Sequence, residues 1–305
     1  MCKSATMSSQ NRTVAYMALN YFTSVGIVWV NKVVSNIGFH WTISLTCLHF
    51  LFTYLGLEVM ASRGMFVRKK LPIGQVVYIS LAFCGFVGFN NLSLQYNPVG
   101  VYQLMKVLTT PVITLLQFVL YRTTVPRWEL ISLLPICVGV AIATVSHLEI
   151  NSVGLFWGML GVLSTSLYQI WVKEEQKRLA CTPQQLLYYQ APLSTVMLLG
   201  IAGATDNLFT GGPMSFDWTP LAYLVVFGSA SLAFLVNLSI FLVIGKTDPL
   251  AYNVLGHAKL CMILMSGPVL FGEPVTVKVA LGTALALVGI FWYTYLRLPP
   301  RAKSA

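Results

Sequence analysis

Residues 218–244 have the sequence WTPLAYLVVFGSASLAFLVNLSIFLVI and contain no charged side chain. About 20 consecutive apolar residues in an α-helix cross a hydrocarbon core about 30 Å thick. A strand of a membrane β-barrel would instead show about ten residues of alternating polarity. The stretch therefore predicts a transmembrane helix and argues against a barrel.

The composition extends this interpretation to the whole chain. Of its 305 residues, 56% are hydrophobic and only 9% are charged, whereas an average soluble domain is about 25% charged. So few charges cannot cover the surface of a water-soluble globule of this size. This excludes a cytosolic enzyme, a secreted disulfide scaffold and a disordered chain.

Further apolar stretches follow one another, separated by short segments that contain proline, glycine or charge. They lie at residues 13–36, 40–62, 74–94, 98–121, 127–145, 152–172, 183–204, 218–244, 249–271 and 275–296. The segments between them are too short for a soluble domain. We therefore expect an all-α polytopic membrane protein with ten transmembrane helices.

The lysines and arginines test this arrangement independently. If the N-terminus lies in the cytosol, all but four of the 19 fall in cytosolic segments. Of those four, Lys278 lies on the opposite side, and Lys32, Lys106 and Lys259 lie within spans. Cytosolic loops of membrane proteins are enriched in these residues. Both termini are thus predicted to be cytosolic, and the net charge of +10 requires no nucleic-acid partner.

Short segments recur in the two halves of the chain. Asn91-Leu-Ser93 recurs as Asn237-Leu-Ser239, and Val138-Gly139-Val140 as Val288-Gly289-Ile290. Five spans in each half would give the halves opposite orientations, an arrangement common in secondary transporters. The expected organisation is a cytosolic tail (1–12), a first repeat (13–145), a second inverted repeat (152–296) and a cytosolic tail (297–305).

Two lysines are the strongest indication of function. Lys106 and Lys259 lie well inside their spans, where a lysine costs about 2.5–3.5 kcal/mol. No predicted span has an acidic residue at mid-depth. These cations favour an anionic substrate whose phosphates they bind, although bonds to carbonyls and hydroxyls within the bundle would also explain them. Lys32, near the outer end of its span, can extend to the interface and is a further candidate.

Polar and aromatic side chains within the spans are the other candidates for substrate contact. Some share a span with one of the two lysines at helical spacing, and the rest lie in other spans. The candidates for contact with the nucleobase or sugar are Tyr189, Gln190, Tyr102, Asn91, Tyr252, Asn253, Gly256 and His257, with Thr110 as a further candidate. Tyrosine rings offer a face for stacking, and amides offer hydrogen bonds to base edges. Glycine permits a ligand to approach the backbone closely.

Several stretches together carry a family resemblance. They include Asn91-Leu-Ser-Leu-Gln95, Gly100-Val-Tyr-Gln-Leu-Met-Lys106, Leu186-Leu-Tyr-Tyr-Gln-Ala-Pro192 and Gly256-His-Ala-Lys259. Over nearly its whole length, the chain resembles the nucleotide-sugar and triose-phosphate translocators of the drug/metabolite transporter superfamily. It is most similar to subgroup E of solute carrier family 35.

This resemblance implies a ten-helix inverted repeat that alternates access between the cytosol and an organelle interior. It also implies that Lys106 and Lys259 contact phosphates, and that Asn31-Lys32 is a family feature. Carriers of GDP-mannose have Phe-Tyr-Asn-Asn on helix 7, where this chain has Leu187-Tyr-Tyr-Gln190, so a GDP-sugar is disfavoured. Carriers of sugar phosphates prefer a second cation after the helix-9 lysine, where this chain has Leu260.

The expected function is an antiporter that exchanges a nucleotide sugar, with a UDP-sugar favoured, for a nucleoside monophosphate across the Golgi or another endomembrane. The alternative is a carrier of a small phosphorylated metabolite. An enzyme or a scaffold has less support, because His49 and His257 are the only mid-span histidines and no carboxylate lies near them in sequence. We expect no cofactor or metal and no nucleic-acid partner. The expected partners are an anionic substrate and membrane lipid, and the architecture also allows a homodimer.

Overall fold

The computed structural model describes residues 9–96, 99–144, 151–208, 210–271 and 277–297. Some side chains within its helices, including that of Tyr102, lie outside the described part, so the expectation for Tyr102 stays a prediction. The described residues form ten α-helices and a short 3₁₀-helix at Pro213–Ser215. The α-helices are α1 (Ser9–Asn36), α2 (Thr42–Ser62), α3 (Ile73–Tyr96), α4 (Val99–Tyr121), α5 (Arg127–Thr144), α6 (Ser152–Arg178), α7 (Pro183–Thr205), α8 (Pro220–Lys246), α9 (Pro249–Phe271) and α10 (Val277–Arg297).

These helices coincide with the ten apolar stretches to within a few residues, apart from α6. That helix continues to Arg178, six residues past the predicted end, through the charged and polar segment Lys173–Arg178. Six of the described helices are long and apolar enough to cross a membrane, namely α1, α2, α3, α6, α7 and α8. Shorter apolar segments occur in α4 (Leu108–Tyr121) and α10 (Ala280–Tyr293). The chain is thus an all-helical, multi-pass membrane protein.

Local sequence explains where two of these helices begin. Thr182 and Gln185 form a reciprocal capping box, in which each side chain bonds the other residue's backbone, and Pro183 is the first residue of α7. Thr219 accepts a hydrogen bond from the Ala222 backbone at the start of α8. Such caps satisfy backbone N–H groups that have no partner within the helix.

The contacts divide the described chain into two compact units. The first unit combines the residues up to Phe89 with Leu167–Tyr252. In it, α2 packs against α7 and α8, α1 packs along α8, and α7 contacts α8. Its apolar core includes Leu57, Leu187 and Phe241, whose side chains are fully buried.

In the first unit, polar contacts join neighbouring segments near both ends of α7. The Lys69 ammonium donates hydrogen bonds to the carbonyls of Leu179 (2.8 Å) and Ala180 (3.0 Å) just after α6. At the end where α7 finishes, the Asp206 carboxylate accepts hydrogen bonds from the backbone and hydroxyl of Ser44 (2.7 and 2.8 Å). A carboxylate is favourable there, because the first turn of α2 presents unpaired N–H groups.

The second unit combines Asn90–Ser166 with the described residues from Asn253 onward. Its most extensive contact joins α5 and α10, and α4 packs against α5. Two glycines permit the close approach of α5 and α10. A Cβ added to Gly139 would collide with the backbone of Gly282 and Ala286, and one added to Gly289 would lie 2.9 Å from the backbone nitrogen of Ile136.

Candidate functional site

The second unit contains both of the lysines predicted to bind phosphate. Lys259, in α9, has a side chain that is only 8% exposed, whereas Lys106, in α4, is exposed. The charge of Lys106 lies in the surroundings of Lys259. The structure therefore brings these two predicted residues together, and positive charge is concentrated between α4 and α9.

A buried hydrogen bond connects the same two helices. The Thr110 hydroxyl lies 2.8 Å from Nε2 of His257, and both side chains are buried. Thr110 is one turn after Lys106 and His257 is two residues before Lys259, so the bond fixes how the two lysine-bearing segments face each other. A buried hydrogen bond contributes about 0.5–1.5 kcal/mol net, and a partner left unsatisfied costs more.

The other α9 candidates occupy different surroundings. A Cβ added to Gly256 would meet no described atom within 4 Å, so there is space beside the backbone at this point. Asn253 is half-buried in the second unit. Tyr252 belongs to the first unit, where it is half-buried and packs against the apolar core.

Polar side chains near the end of α3 are held against α6. Ser93 donates a hydrogen bond to the Gly154 carbonyl (3.1 Å). The amide of the buried Asn90 lies 3.0 Å from the position that a Cβ on Gly161 would take, so this glycine makes room for the asparagine. Asn91, the residue that the sequence singles out, is half-buried beside them.

In the first unit, Gln190 has a partner that the sequence analysis missed. Its Nε2 donates to the hydroxyl of Tyr168 (3.4 Å), and Tyr168 stacks on Phe86 with an interplanar angle of 11°. Gln190 is fully buried, and its Oε1 has no hydrogen-bond partner among the described residues. The sequence does contain a signal for Tyr168, because Tyr168-Gln169 repeats the Tyr-Gln pair of 189–190 within a predicted span.

Tyr189 lies next to a chain of polar contacts. Its ring is half-buried and packs edge-on against Tyr188, with centroids 5.5 Å apart. The Tyr188 hydroxyl donates to Glu58 (2.7 Å), which also forms an ion pair with Arg68. Glu58 is therefore neutralised by its own neighbours in the first unit. The remaining candidate, Lys32 of α1, is exposed.

A second missed group joins α1, α2 and α8. The Ser229 hydroxyl donates to Oδ1 of Asn31 (2.5 Å) and therefore accepts a hydrogen bond from Nε2 of His49 (3.0 Å). His49 and Ser229 are buried. The bond holds Asn31, the neighbour of Lys32, in place. No group of His, Cys, Asp or Glu side chains suited to a metal occurs in the described part of the chain.

The chain is similar to known proteins over most of its length. The sequence profile of the Triose-phosphate Transporter family matches residues 11–294. The chain is 34% identical over 290 residues to UDP-xylose transporter 1 of Arabidopsis thaliana, covering 94% of this chain and 85% of that protein. It is 32% identical over 286 residues to UDP-rhamnose/UDP-galactose transporter 1 of the same plant, covering 92% and 82%.

A likeness of fold also extends to a protein known from a crystal structure. That chain superposes with a TM-score of 0.72 and is 15% identical, and the match covers 95% of this chain and 98% of the other. At this level of identity the likeness concerns the fold alone.

Proposed function

Because this chain belongs to the triose-phosphate transporter family, we propose that it is a secondary-active antiporter of nucleotide sugars. The substrate that we favour is a UDP-sugar, exchanged for a nucleoside monophosphate by alternating access. The relatives support this choice, because their names describe transporters of UDP-xylose, UDP-rhamnose and UDP-galactose. These relatives are transporters and not enzymes.

The observation that carries the proposal is the buried Lys259 with the charge of Lys106 nearby. A lysine held in an apolar helix is costly, and a second positive charge raises that cost. A diphosphate brings two negative charges and several acceptor oxygens to the same place. We assign Lys106 and Lys259 to the phosphates of the substrate.

The same two charges offer a reason for exchange. Without substrate, closure around the site would bring two cations together in a medium of low dielectric constant, where like charges repel strongly. With a nucleotide bound on either side, the repulsion is screened. Reorientation of the loaded carrier is then favoured over that of the empty carrier, so transport is coupled to counter-transport.

We assign recognition of the base to Gln190 and Tyr189. Gln190 has a carbonyl oxygen without a partner among the described residues, and its amide nitrogen is occupied by Tyr168. The arrangement leaves an acceptor for a base N–H, which uracil and guanine possess and cytosine lacks at the equivalent ring nitrogen. Hydrogen-bond donors and acceptors placed in this way discriminate between bases.

We further propose that the ten helices are ten spans in two inverted repeats, 13–145 and 152–296. The reciprocal contacts of Gly139 and Gly289 across α5 and α10 support this arrangement. The serines of the recurrent Asn-Leu-Ser segment also support it. Ser93 of α3 donates a hydrogen bond to α6, and Ser239 of α8 accepts one from Asn20 of α1. Helices α1 and α6 would be the first members of the two repeats, and α3 and α8 the third members.

Exchange in proteoliposomes tests the function. Vesicles preloaded with UMP, CMP, GMP or inorganic phosphate would be offered labelled UDP-sugars, GDP-sugars, CMP-sugars and triose phosphates. We expect uptake of UDP-sugars that depends on internal UMP. Phosphate-dependent uptake of triose phosphate, without nucleotide exchange, would instead establish the alternative carrier of small phosphorylated metabolites, a class that the family's description supports.

A further inference from the structure

An open apolar groove runs between α4 and α5 in the second unit. Its volume is about 710 Å³, within the range of about 300–1,000 Å³ that is usual for small-molecule sites. Its walls include Leu108, Leu115 and Phe118 from α4 and Leu130 and Leu134 from α5. Thr123 and Thr124, in the loop that joins the two helices, line the groove at one end.

Several wall residues of the groove face away from the packed interior, although Leu133 is buried. Leu115 is 59% exposed and Leu134 is 62% exposed, and Phe118 and Leu130 are also exposed. In a helix that crosses a membrane, large exposed apolar side chains contact acyl chains. A hydrocarbon chain is thus the natural occupant of the groove.

Two arginines stand at the end of the groove formed by the loop. The Arg122 guanidinium lies 6.0 Å from the ring centroid of Phe118, which lines the groove, and Arg122 directly precedes the lining residue Thr123. Arg127 begins α5, and helical spacing places it on the same face as Leu130 and Leu134. Both arginines are exposed. Glu129 lies two residues after Arg127, and the side chains that line the groove include neither this carboxylate nor the two arginines.

We propose that the groove between α4 and α5 is a binding site for one phospholipid with an anionic headgroup. An acyl chain lies between the helices, and the headgroup phosphate and its added negative charge contact Arg122 and Arg127. Clusters of basic side chains next to the ends of spans recognise anionic lipids in this way. The orientation predicted from the lysines and arginines places this end in the cytosolic leaflet, which carries those lipids.

Native mass spectrometry of the full-length protein in a neutral detergent tests the site. The protein would be titrated with dioleoyl phosphatidylserine or dioleoyl phosphatidylcholine, and bound lipids would be counted. We expect one phosphatidylserine to bind at least tenfold more tightly than phosphatidylcholine. The double variant Arg122→Gln/Arg127→Gln should weaken phosphatidylserine binding by about 25-fold, about fivefold for each arginine.

Two kinds of control make the result specific. Leu134→Trp and Leu115→Trp fill the groove from opposite walls and should each remove binding of both lipids; both positions are exposed, so the fold tolerates them. The pair Arg63→Gln/Lys70→Gln removes the same charge from exposed positions outside the groove and should leave binding unchanged.

Three results would overturn the proposal. Equal weakening by the Arg63/Lys70 pair would show only a general attraction of charged lipid. Lipid binding that survives both tryptophan variants would place the lipid elsewhere. A lipid-free dimer that both tryptophan variants dissociate would show that a second copy of the chain occupies the groove.

Discussion

Gly139 in α5 and Gly289 in α10 make the same contact with each other's helix. Gly139 lies against the backbone of Ala286, and Gly289 lies against the backbone of Ile136. The number of residues that separates Gly139 from Gly289 also separates Ile136 from Ala286. Reciprocal contacts of this kind are the mark of a two-fold relationship between interacting segments, here between two parts of one chain.

Replacing either glycine should therefore destabilise the protein. In Gly139→Ala and Gly289→Ala, the new methyl group meets backbone atoms or a buried side chain that cannot move aside, and overpacking typically costs about 1–3 kcal/mol. Thermal unfolding in detergent should show a lower midpoint for each variant. If the two positions are equivalent, the two shifts should be similar in size.

Gly228→Ala and Gly200→Ala are the matched controls. Both glycines lie in helices, and a Cβ on either meets no described atom within 4 Å. We expect little change or a small gain in stability, because alanine is favoured over glycine in a helix by up to about 1 kcal/mol. A loss in the controls equal to that in Gly139→Ala would contradict the importance of close packing between α5 and α10.

The hydrogen bond between Thr110 and His257 should be measurable as a coupling energy. Thr110→Val leaves a buried imidazole nitrogen without its partner, at a cost of about 1–3 kcal/mol. A double-mutant cycle with His257→Leu, followed by thermal unfolding, should give a coupling of about 0.5–3 kcal/mol. Thr110→Ser keeps the hydroxyl and should preserve most of the stability. Strictly additive effects would show that the contact contributes nothing.

The Tyr168–Gln190 pair should affect selectivity more than stability. Gln190→Ala should change the preference among UDP-, GDP- and CMP-linked substrates, because a lost hydrogen bond to a base edge costs about 1–3 kcal/mol. Tyr168→Phe frees the Gln190 amide and should change the same preference in part. Gln184→Ala, on the same helix, is the control. Equal weakening of all substrates would show that Gln190 does not select the base.

The sequence predicted most helix boundaries well because many of them have a local cause, whereas α6 continues through the charged and polar segment Lys173–Arg178. Proline, glycine or charge interrupts apolar runs of membrane-spanning length, as at Pro183 and Pro249. The two lysines are conspicuous in the sequence whatever surrounds them, because each is a charge within an apolar span, and their phosphate-binding role stays a prediction. The contacts between side chains of different helices could not be predicted from the sequence. Helical spacing groups residues of one helix, whereas Tyr168 and Ser229 depend on which helices pack together.

The orientation can be tested with tags cleaved by a protease in sealed vesicles whose cytosolic face is outward. Tags at both termini should be removed, because the lysine and arginine distribution places both in the cytosol. A tag inserted at the exposed Gly211, between α7 and α8, should be protected. Protection of the C-terminal tag would contradict the ten-span arrangement.

The two lysines of the second unit provide the most direct test of mechanism. Lys259→Met removes the buried cation that we assign to the substrate phosphates, and Lys106→Met removes its neighbour. We expect each variant to lose exchange of nucleotide-linked substrates in proteoliposomes. Expression and thermal stability should be largely retained, because removing a charge from an apolar helix removes a cost of about 2.5–3.5 kcal/mol.

Lys70→Met, at an exposed position outside the helices, should exchange normally and controls for the loss of one positive charge. If the lysines bind phosphate, the loss of activity should also depend on the number of phosphates in the substrate. Substrates with a diphosphate should be affected more than nucleoside monophosphates, because more negative charge loses its counter-charge. If either variant transports at the wild-type rate, that lysine is structural. The phosphate role would then pass to Lys32, next to the Asn31 that Ser229 holds in place.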